Sequence, residues 1–290
     1  MDLQQLRYVV AVAELGNFTR AAERCFVVQS GLSHQVAKLE QELGVRLFDR
    51  TSRSVALTPA GAALLPAARD CLAAAERAKA EVFAAIGEIR GRLAVGMIPT
   101  VAAVDVPAAL RAFHRDHPGV RISLLTGGSD MLADQVREGA LDVAFLGLAE
   151  GVEVPDLNSR QLARDPLAAL LAPDHHLAGR KRIRLEAIGA EEFVDFPAGT
   201  TGRIQADRAF AAAGLERTVA FEVTDPHFMA RLVAEGLCAA LLASTFAVQL
   251  PGVSVVSVVN TSYRIEHMVW SRLGPTPAAE ELIDRLSPRH

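Results

Sequence analysis

The chain has 290 residues, half of them hydrophobic, and it carries a formal net charge of −4. This length accommodates two or three domains, each with a sizeable core. The slight acidic excess excludes a surface coated with basic charge, so any contact with nucleic acid has to be local.

Cysteine usage indicates a reducing compartment. The three cysteines, Cys25, Cys71 and Cys238, lie far apart and form no C-x-x-C pair, which argues against a secreted disulfide framework or a zinc site. Buried free thiols are the expectation, and a redox-sensing pair stays open as the alternative. The sequence shows no basic-then-apolar signal segment and no apolar run long enough to cross a bilayer. We therefore expect a cytoplasmic protein with no membrane partner.

Residues 18–43, FTRAAERCFVVQSGLSHQVAKLEQEL, predict two short helices joined by a tight turn. In the second helix, apolar residues spaced by four, three and four positions keep to one face. These residues are Leu32, Val36, Leu39 and Leu43. A preceding helix over residues 3–15 is predicted to complete a three-helix core through Leu6, Val9, Val10 and Ala13. This arrangement is typical of a helix-turn-helix, and an ordinary helical hairpin is the alternative.

The face opposite the apolar stripe presents side chains that can hydrogen-bond base edges or phosphates. Thr19 is predicted to cap the first helix of the pair. Our candidate DNA contacts in this pair are Thr19, Gln29, Ser30, Ser33, His34 and Lys38.

A two-stranded wing is predicted after the second helix. Two short apolar runs, residues 45–48 and 55–57, flank a polar and cationic tip. Such a wing lies along the backbone or the minor groove beside a docked helix, so Arg50 and Arg53 are the predicted phosphate contacts. A solvated hairpin loop is the alternative.

Residues 59–89 predict one long helix that starts at Thr58-Pro59. Apolar residues alternate by four and three along it, which is the heptad pattern of a helix that packs against a copy of itself. The candidate dimer contacts are Leu64, Ala68, Cys71, Ala75, Ala78 and Val82. The alternative is a long helix that lies on its own domain.

From residue 90 to the end, apolar strands alternate with helical segments, which predicts parallel-rich α/β sheets. The pattern fits two similar lobes, with lobe I near residues 90–161 and 268–290 and lobe II near residues 162–267. Ligands bind outside the carboxyl ends of strands in open α/β sheets, where helix starts offer free N–H groups. The candidate ligand contacts are Pro99, Thr100, Gly128, Ser129, Gly147, Thr200, Thr201 and His227. Each could instead be only a helix cap, and no arginine or lysine is expected among them.

The ordered series FTRAAERC, QSGLSHQVAKLEQELGVRLFDR and TSRSVALTPAG, followed by the long helix and the α/β region, resembles the LysR-type transcriptional regulators. Looser echoes follow at EGALDVAFLG, DFPAGTTGR and TDPHFMARLVAEGLCAALLAS. The resemblance implies a mixed α+β and α/β protein. It would have a winged helix-turn-helix over 1–58, a linker helix over 59–89 for dimerisation, and a periplasmic-binding-protein-like effector domain over 90–290.

The same resemblance implies binding to double-stranded promoter DNA, a small-molecule effector in the cleft between the lobes, and a homodimer or homotetramer that acts with RNA polymerase. No cofactor other than the effector is expected. His34 stands where arginine is frequent in the family, which changes the predicted base readout.

Catalytic motifs such as G-x-S-x-G, a Walker loop and H-E-x-x-H are absent from the sequence, so an enzyme is not expected. A solute-binding or enzymatic α/β protein with an accessory helical domain is the alternative. Salt-dependent binding to promoter DNA would discriminate between the two classes.

Overall fold

The computed structural model describes residues 1–50, where Arg50 is described by its backbone alone, and residues 55–286. The chain divides into two compact units, unit 1 over residues 1–88 and unit 2 from residue 89 onward. Unit 1 is built from four helices and a two-stranded hairpin among its described residues. These are α1 (Leu3–Leu15), α2 (Phe18–Arg24), α3 (Gln29–Leu43), β1 (Phe48–Arg50), β2 (Val55–Leu57) and α4 (Pro59–Ala84).

The core of unit 1 lies between α1, α2 and α3, and the hairpin closes one end. Leu32, Val36 and Leu39 are buried as the α3 stripe predicts, but Leu43 is 41% exposed, because Gly44 ends the helix there with a positive φ of 71°. The prediction for α1 is partly wrong. Val10 and Ala13 are half-buried, and the residues of α1 that are buried are Gln5, Leu6, Tyr8, Val9, Ala11 and Val12.

The predicted hairpin is present, but its first strand was placed wrongly: β1 is Phe48–Arg50, and residues 45–47 are not in a strand. β1 and β2 pair antiparallel from Phe48 opposite Leu57 to Arg50 opposite Val55. The long helix is shorter than predicted, since α4 ends at Ala84. Gly87 adopts a positive φ of 80° soon afterwards. Ile89, which the heptad pattern assigned to the helix, instead packs against a core cluster of unit 2.

Unit 2 alternates strands and helices, as the sequence predicts. Its first half contains β3 (Gly91–Met97), α5 (Val106–Asp116), β4 (Val120–Thr126), α6 (Ser129–Arg137), β5 (Val143–Ala149) and β6 (Leu157–Leu171). Its second half contains β7 (Arg182–Ile183), a 3-10 turn (Leu185–Ile188), β8 (Glu192–Asp195), α7 (Thr201–Ala212), β9 (Thr218–Glu222), α8 (Pro226–Ala234), β10 (Ala240–Ala243), α9 (Ser244–Ala247), β11 (Ser254–Val258), β12 (Tyr263–Ser271) and α10 (Pro277–Arg285).

The sheets are more mixed than predicted. β3 is parallel to β4 and β5, but β12 is antiparallel to β5 and β6, and β6 is antiparallel to β10 and β11. The cause is β6, a 15-residue strand of which the sequence predicted only the end near residues 168–171. Its first part pairs with β12 in lobe I, and its last part pairs with β10 and β11 in lobe II.

Strands paired in the order β4-β3-β5-β12-β6-β11-β7 run through both lobes, and β8 and β9 form a separate parallel pair. Helices pack against the strands of each lobe. In lobe I, one core cluster lies under α5 and α10, and another lies under α6. In lobe II, one cluster lies under α7 and another under α8 and α9. β6 pairs with strands of both lobes, and β12 lies beside it. None of the helices in the described part of the chain has the length and hydropathy that a membrane span requires.

Candidate functional site

The outer face of α3 is polar and open to solvent. Gln29, Ser30, His34 and Lys38 are exposed, and Ser33 is half-buried. They lie opposite the buried stripe of the same helix, because a helix repeats every 3.6 residues. The structure therefore presents the predicted contacts of this helix on one surface.

Thr19 does not have its predicted role as a helix cap. Asn17 is the N-cap of α2, and its side-chain oxygen accepts from the Arg20 N–H at 3.0 Å. Thr19 is an exposed residue in the first turn of that helix.

The turn that leads into α3 is unusually apolar. Val28 is the N-cap residue and makes no side-chain hydrogen bond to the helix. Phe26 adopts a positive φ of 56° and is 95% exposed, and Val28 is 72% exposed. The first turn of α3 consequently lacks the side-chain acceptor that Ser, Thr, Asp or Asn supplies at most helix starts.

The hairpin is tied to α3 and α4 by hydrogen bonds. Glu40 Oε1 accepts from the backbone N–H groups of Leu47 and Phe48 at 2.8 and 3.2 Å. Thr58 Oγ1 donates to the Arg46 carbonyl at 2.7 Å and accepts from the Gly61 N–H at 3.0 Å. These bonds fix the base of the hairpin relative to α3 and α4.

The structure describes the side chain of neither arginine predicted to contact phosphate. Arg53 lies outside the described residues, and of Arg50 the structure describes the backbone at the end of β1. Their role as phosphate contacts stays a prediction.

The first turns of α4 pack inside unit 1. Leu64 packs against the core cluster, and Ala68 is 1% exposed. Ion pairs link α4 to α1, from Arg69 to Glu14 at 3.4 Å and from Arg7 to Glu76 at 3.3 Å. Two of the six predicted dimer contacts are therefore covered by the chain's own helices.

The second half of α4 is open. Ala75 is half-buried, whereas Cys71 and Ala78 are exposed. Val82 is 66% exposed, and Ile86, just beyond the helix, is 70% exposed. An apolar seam of this kind exposed on a helix end is a surface that a partner can cover.

Unit 2 holds a cavity of about 320 Å³ between the two lobes, at the carboxyl ends of β3, β4 and β8. We call it the cleft pocket. Its lining residues are Ile98, Pro99, Thr100, Thr126, Gly127, Gly128, Ser129, Phe196, Pro197, Thr200, Thr201, Gly202, Thr224 and Arg264. Six of the eight predicted ligand contacts lie in this lining, and the two outside it are Gly147 and His227.

The hydroxyl groups of the cleft pocket differ in their partners. Ser129 Oγ exchanges hydrogen bonds with the backbone of Gly147, and Thr200 Oγ1 donates to the Pro197 carbonyl at 2.8 Å. Thr201 Oγ1 is buried and has no partner among the described residues. Thr201 therefore has a hydroxyl that is available to a ligand.

Thr100 lines the cleft pocket. The prediction that it lies at the start of a helix is wrong. The helix that follows it, α5, begins at Val106 and is capped by Asp105. The intervening turn is held by Glu266, which accepts from the N–H groups of Ala102 and Ala103.

Arg264 is the main correction to the predicted site, for which no cation was expected. It lies on β12, is 5% exposed and lines the cleft pocket. Burial lowers the pKa of its guanidinium, with Glu266 and Asp165 acting in the opposite direction. The sequence signal that could have identified Arg264 is a charged residue within the predicted strand YRIEHMVW, because arginine is rarely buried unless it is paired.

His227 lines a second cavity, of about 290 Å³, next to the cleft pocket. The two cavities share Ile98, Pro99 and Thr126. His227 is exposed and lies 3.6 Å from Asp225, measured from Nδ1 to Oδ1.

The described part of the chain contains no cluster of His, Cys, Asp or Glu suited to a metal ion. All three cysteines are free, but the expected burial is wrong for Cys71, which is exposed, and only partly right for Cys25 and Cys238, which are half-buried. Burial raises the pKa of the Cys238 thiol to about 11 and also raises that of Cys25. Raised pKa values leave little thiolate, so these two thiols are poor nucleophiles at neutral pH.

Two family models match the chain. "Bacterial regulatory helix-turn-helix protein, lysR family" covers residues 3–62, and "LysR substrate binding domain" covers residues 87–289. The curated "HTH-type transcriptional regulator ShiR" of Corynebacterium glutamicum is 32% identical over 98% of this chain and 97% of that protein.

Two solved structures agree with this match along the full length. A full-length OxyR variant from Pseudomonas aeruginosa has a TM-score of 0.77 at 28% identity and covers 99% of this chain and 94% of that one. Full-length CbnR complexed with its target DNA has a TM-score of 0.67 at 26% identity and covers 99% of both chains.

Proposed function

Because the chain belongs to the LysR family of DNA-binding transcriptional regulators, we propose that α3 enters the major groove of its target DNA. The relatives are transcriptional regulators, which confirms the prediction that the chain is not an enzyme and disfavours the alternative of a solute-binding or enzymatic α/β protein. The observation that carries the proposal is the exposed polar face of α3, with Ser33, His34 and Lys38 opposite a buried apolar stripe. Direct readout needs this combination, since donors and acceptors have to reach base edges while the helix is braced from behind.

The experiment is a footprint and a salt titration with promoter DNA from upstream of the protein's own gene. Lys38→Ala should weaken binding and reduce the slope of log affinity against log salt by about one ion. His34→Ala should relax sequence preference by about 1–3 kcal/mol for a lost base contact.

Lys181→Ala is the matched control, because Lys181 is an exposed lysine of unit 2, outside α3 and α4. Equal affinities and salt slopes for the wild type, Lys38→Ala and Lys181→Ala would contradict the proposed interface. A protein that protects no promoter sequence would contradict target recognition by α3.

The effector-binding domain is proposed to bind one small organic molecule in the cleft pocket, and no other cofactor. Support comes from the volume of the pocket, from its position between two lobes joined by β6 and β12, and from the free hydroxyl of Thr201. Ligand binding changes the regulatory state only if the two states differ in affinity for the ligand.

We further propose a homodimer formed through the exposed second half of α4. Val82 is a better test position than Ala75, because Ala75 is half-buried and a charge there could disturb packing within the chain. Val82→Glu should produce monomers in sedimentation velocity and weaken operator binding, since a carboxylate in an apolar interface is costly without a partner.

The matched control is Val248→Glu in unit 2, because Val248 is 67% exposed and Val82 is 66% exposed. A dimer that persists in Val82→Glu, or is lost equally in both variants, would contradict the assignment. We propose RNA polymerase as the enzyme on which the regulator acts. We propose the cytoplasm as its location, because bacterial chromosomal DNA lies there. Transcription in vitro with purified polymerase tests the first.

A further inference from the structure

Arg264 is a buried arginine whose charge has no direct partner. Its Nε is buried without a hydrogen-bond partner, and no ion pair joins the guanidinium to a carboxylate of the described residues. A buried cation in this state is expensive unless something of opposite charge contacts it.

The two carboxylates whose charges act on Arg264 are hydrogen-bonded to other groups. Glu266 accepts from the N–H groups of Ala102 and Ala103, and Asp165 accepts from the Thr245 N–H at 2.8 Å and from the Ser244 hydroxyl. Their charges act on Arg264 by Coulombic attraction, but neither carboxylate accepts a hydrogen bond from the guanidinium.

Gly147 explains how the guanidinium fits at this place. A Cβ at position 147 would lie 2.1 Å from Arg264 Nη2 and 2.3 Å from Nε. The side chain therefore lies flat against the backbone of β5, in space that any other residue would fill. This packing seals Nε against β5. The Nη1 side of the guanidinium, which lies 3.9 Å from a Cβ built on Gly202 of the pocket lining, is the edge that can meet a ligand.

We propose that the effector is an organic monocarboxylate whose carboxylate is bound by Arg264, a step that rests on the proposed effector function of the cleft pocket. A guanidinium presents parallel N–H groups that match a carboxylate. The unpartnered hydroxyl of Thr201 and the first N–H groups of α6 and α7 favour a negative charge in the same pocket.

The charge of the ligand is limited to one. Asp165 and Glu266 both act on Arg264, so a dianion such as phosphate would bring its second charge towards two carboxylates. Ile98, Pro99, Phe196 and Pro197 supply apolar walls, which favour a carbon skeleton attached to the carboxylate.

The test uses acetate, the smallest probe with the proposed group and a carbon attached, on the full-length protein. Thermal unfolding is measured with 100 mM acetate, acetamide, phosphate or chloride at constant ionic strength and pH 8, where phosphate is mainly a dianion. For the wild type, acetate should raise the Tm by about 3 °C over chloride through binding to the folded state. Acetamide should have no effect, and phosphate should have less effect than acetate.

Arg264→Gln should lose the acetate effect. Arg264→Lys, which keeps the charge but not the fork, should keep a reduced effect and serves if Arg264→Gln does not fold. The matched control is Arg164→Gln, since Arg164 is a half-exposed arginine of β6 that pairs with Glu150 and does not line the pocket; it should respond as the wild type does.

Three results would overturn the proposal. They are equal effects of acetate in the wild type and Arg264→Gln, an acetate effect matched by acetamide, and no acetate effect in the wild type. Operator binding without effector is measured separately and should be unchanged in the control variant Arg164→Gln. If the wild type does not bind operator DNA, the proposed function is contradicted, but the acetate comparison between the wild type and Arg264→Gln can still be made.

Discussion

Ser129 and Gly147 exchange two buried hydrogen bonds. The Ser129 hydroxyl donates to the Gly147 carbonyl at 3.1 Å and accepts from the Gly147 N–H at 3.1 Å. This pair joins the start of α6 to β5, next to the place where Arg264 lies on Gly147. The hydroxyl that the sequence assigned to the ligand is thus occupied by the protein itself.

This relationship gives the first prediction, which separates two hydroxyls of one pocket. Ser129→Ala should destabilise the folded protein by about 1–3 kcal/mol, because it leaves the backbone groups of Gly147 buried and unpaired. Thr201→Val keeps the shape of the side chain and removes a hydroxyl that has no partner, so stability should be unchanged or slightly increased while the effector response falls.

Urea unfolding combined with effector-dependent transcription measures both quantities. The reverse pattern, with a destabilised Thr201→Val and a fully stable Ser129→Ala, would show that the hydrogen bonds of the two hydroxyls are misassigned.

The second prediction concerns the missing cap of α3. Val28 has the extended backbone of an N-cap residue, with φ −73° and ψ 141°, but no side-chain acceptor. Val28→Thr adds a hydroxyl on a similar framework and should stabilise unit 1 by about 0.5–1 kcal/mol. Val45→Thr is the control, because Val45 is also an exposed valine and does not precede a helix. Urea unfolding should separate the variants, and equal midpoints would refute the cap.

The third prediction compares two helical glycines. A Cβ on Gly61 would lie 2.1 Å from the Leu47 carbonyl oxygen, at the junction of the wing and α4. Gly61→Ala should therefore cost about 1–3 kcal/mol, since the hairpin has to move to relieve the clash. It should also weaken operator binding through the displaced wing.

Gly31 in α3 is the counterpart with room, because its added Cβ would meet nothing closer than 3.4 Å. Gly31→Ala should stabilise the protein by up to about 1 kcal/mol through helix propensity. Opposite signs in the shift of the urea midpoint are the expected result, and a Gly61→Ala variant as stable as the wild type would refute the close approach.

The fourth prediction uses the pKa of Cys238, which burial raises to about 11. An unfolded cysteine has a pKa of about 8.5–9, so at pH 8 the thiolate fraction should rise about 100-fold on unfolding. Alkylation by iodoacetamide, followed by peptide mass spectrometry in buffer and in urea, measures this ratio.

Because the folded pKa is raised, the protonated thiol is the state that folding favours. Cys238 should thus oppose folding increasingly as the pH rises above its unfolded pKa, and it has no effect below that pH. A native alkylation rate within tenfold of the unfolded rate would contradict the burial of this thiol.

Local sequence patterns were enough to predict the helices of unit 1 apart from the end of α4, the two-lobed α/β class of unit 2 and the family. Leu32, Val36 and Leu39 are buried where their spacing predicted, because a helix of 3.6 residues per turn places them on one face whatever surrounds it. The periodicities of strands and helices are local, so they can be recognised in the sequence without knowing which elements pack together. The same locality explains why the polar surface of α3 was predicted as a set.

The tertiary structure decided which groups meet in the cleft pocket. Arg264 reaches Gly147 and Gly202 only because β12 pairs with β5 and β6 across more than 90 residues of sequence. No local pattern specifies that pairing, since it depends on which apolar faces pack together once both lobes have formed. Caps and ends behaved in the same way. The N-cap of α2 is Asn17 and not the predicted Thr19, and α4 ends at Ala84 and not at Ile89. Both depend on backbone angles and long-range packing, such as that of Ile89 in unit 2, which the sequence alone does not display.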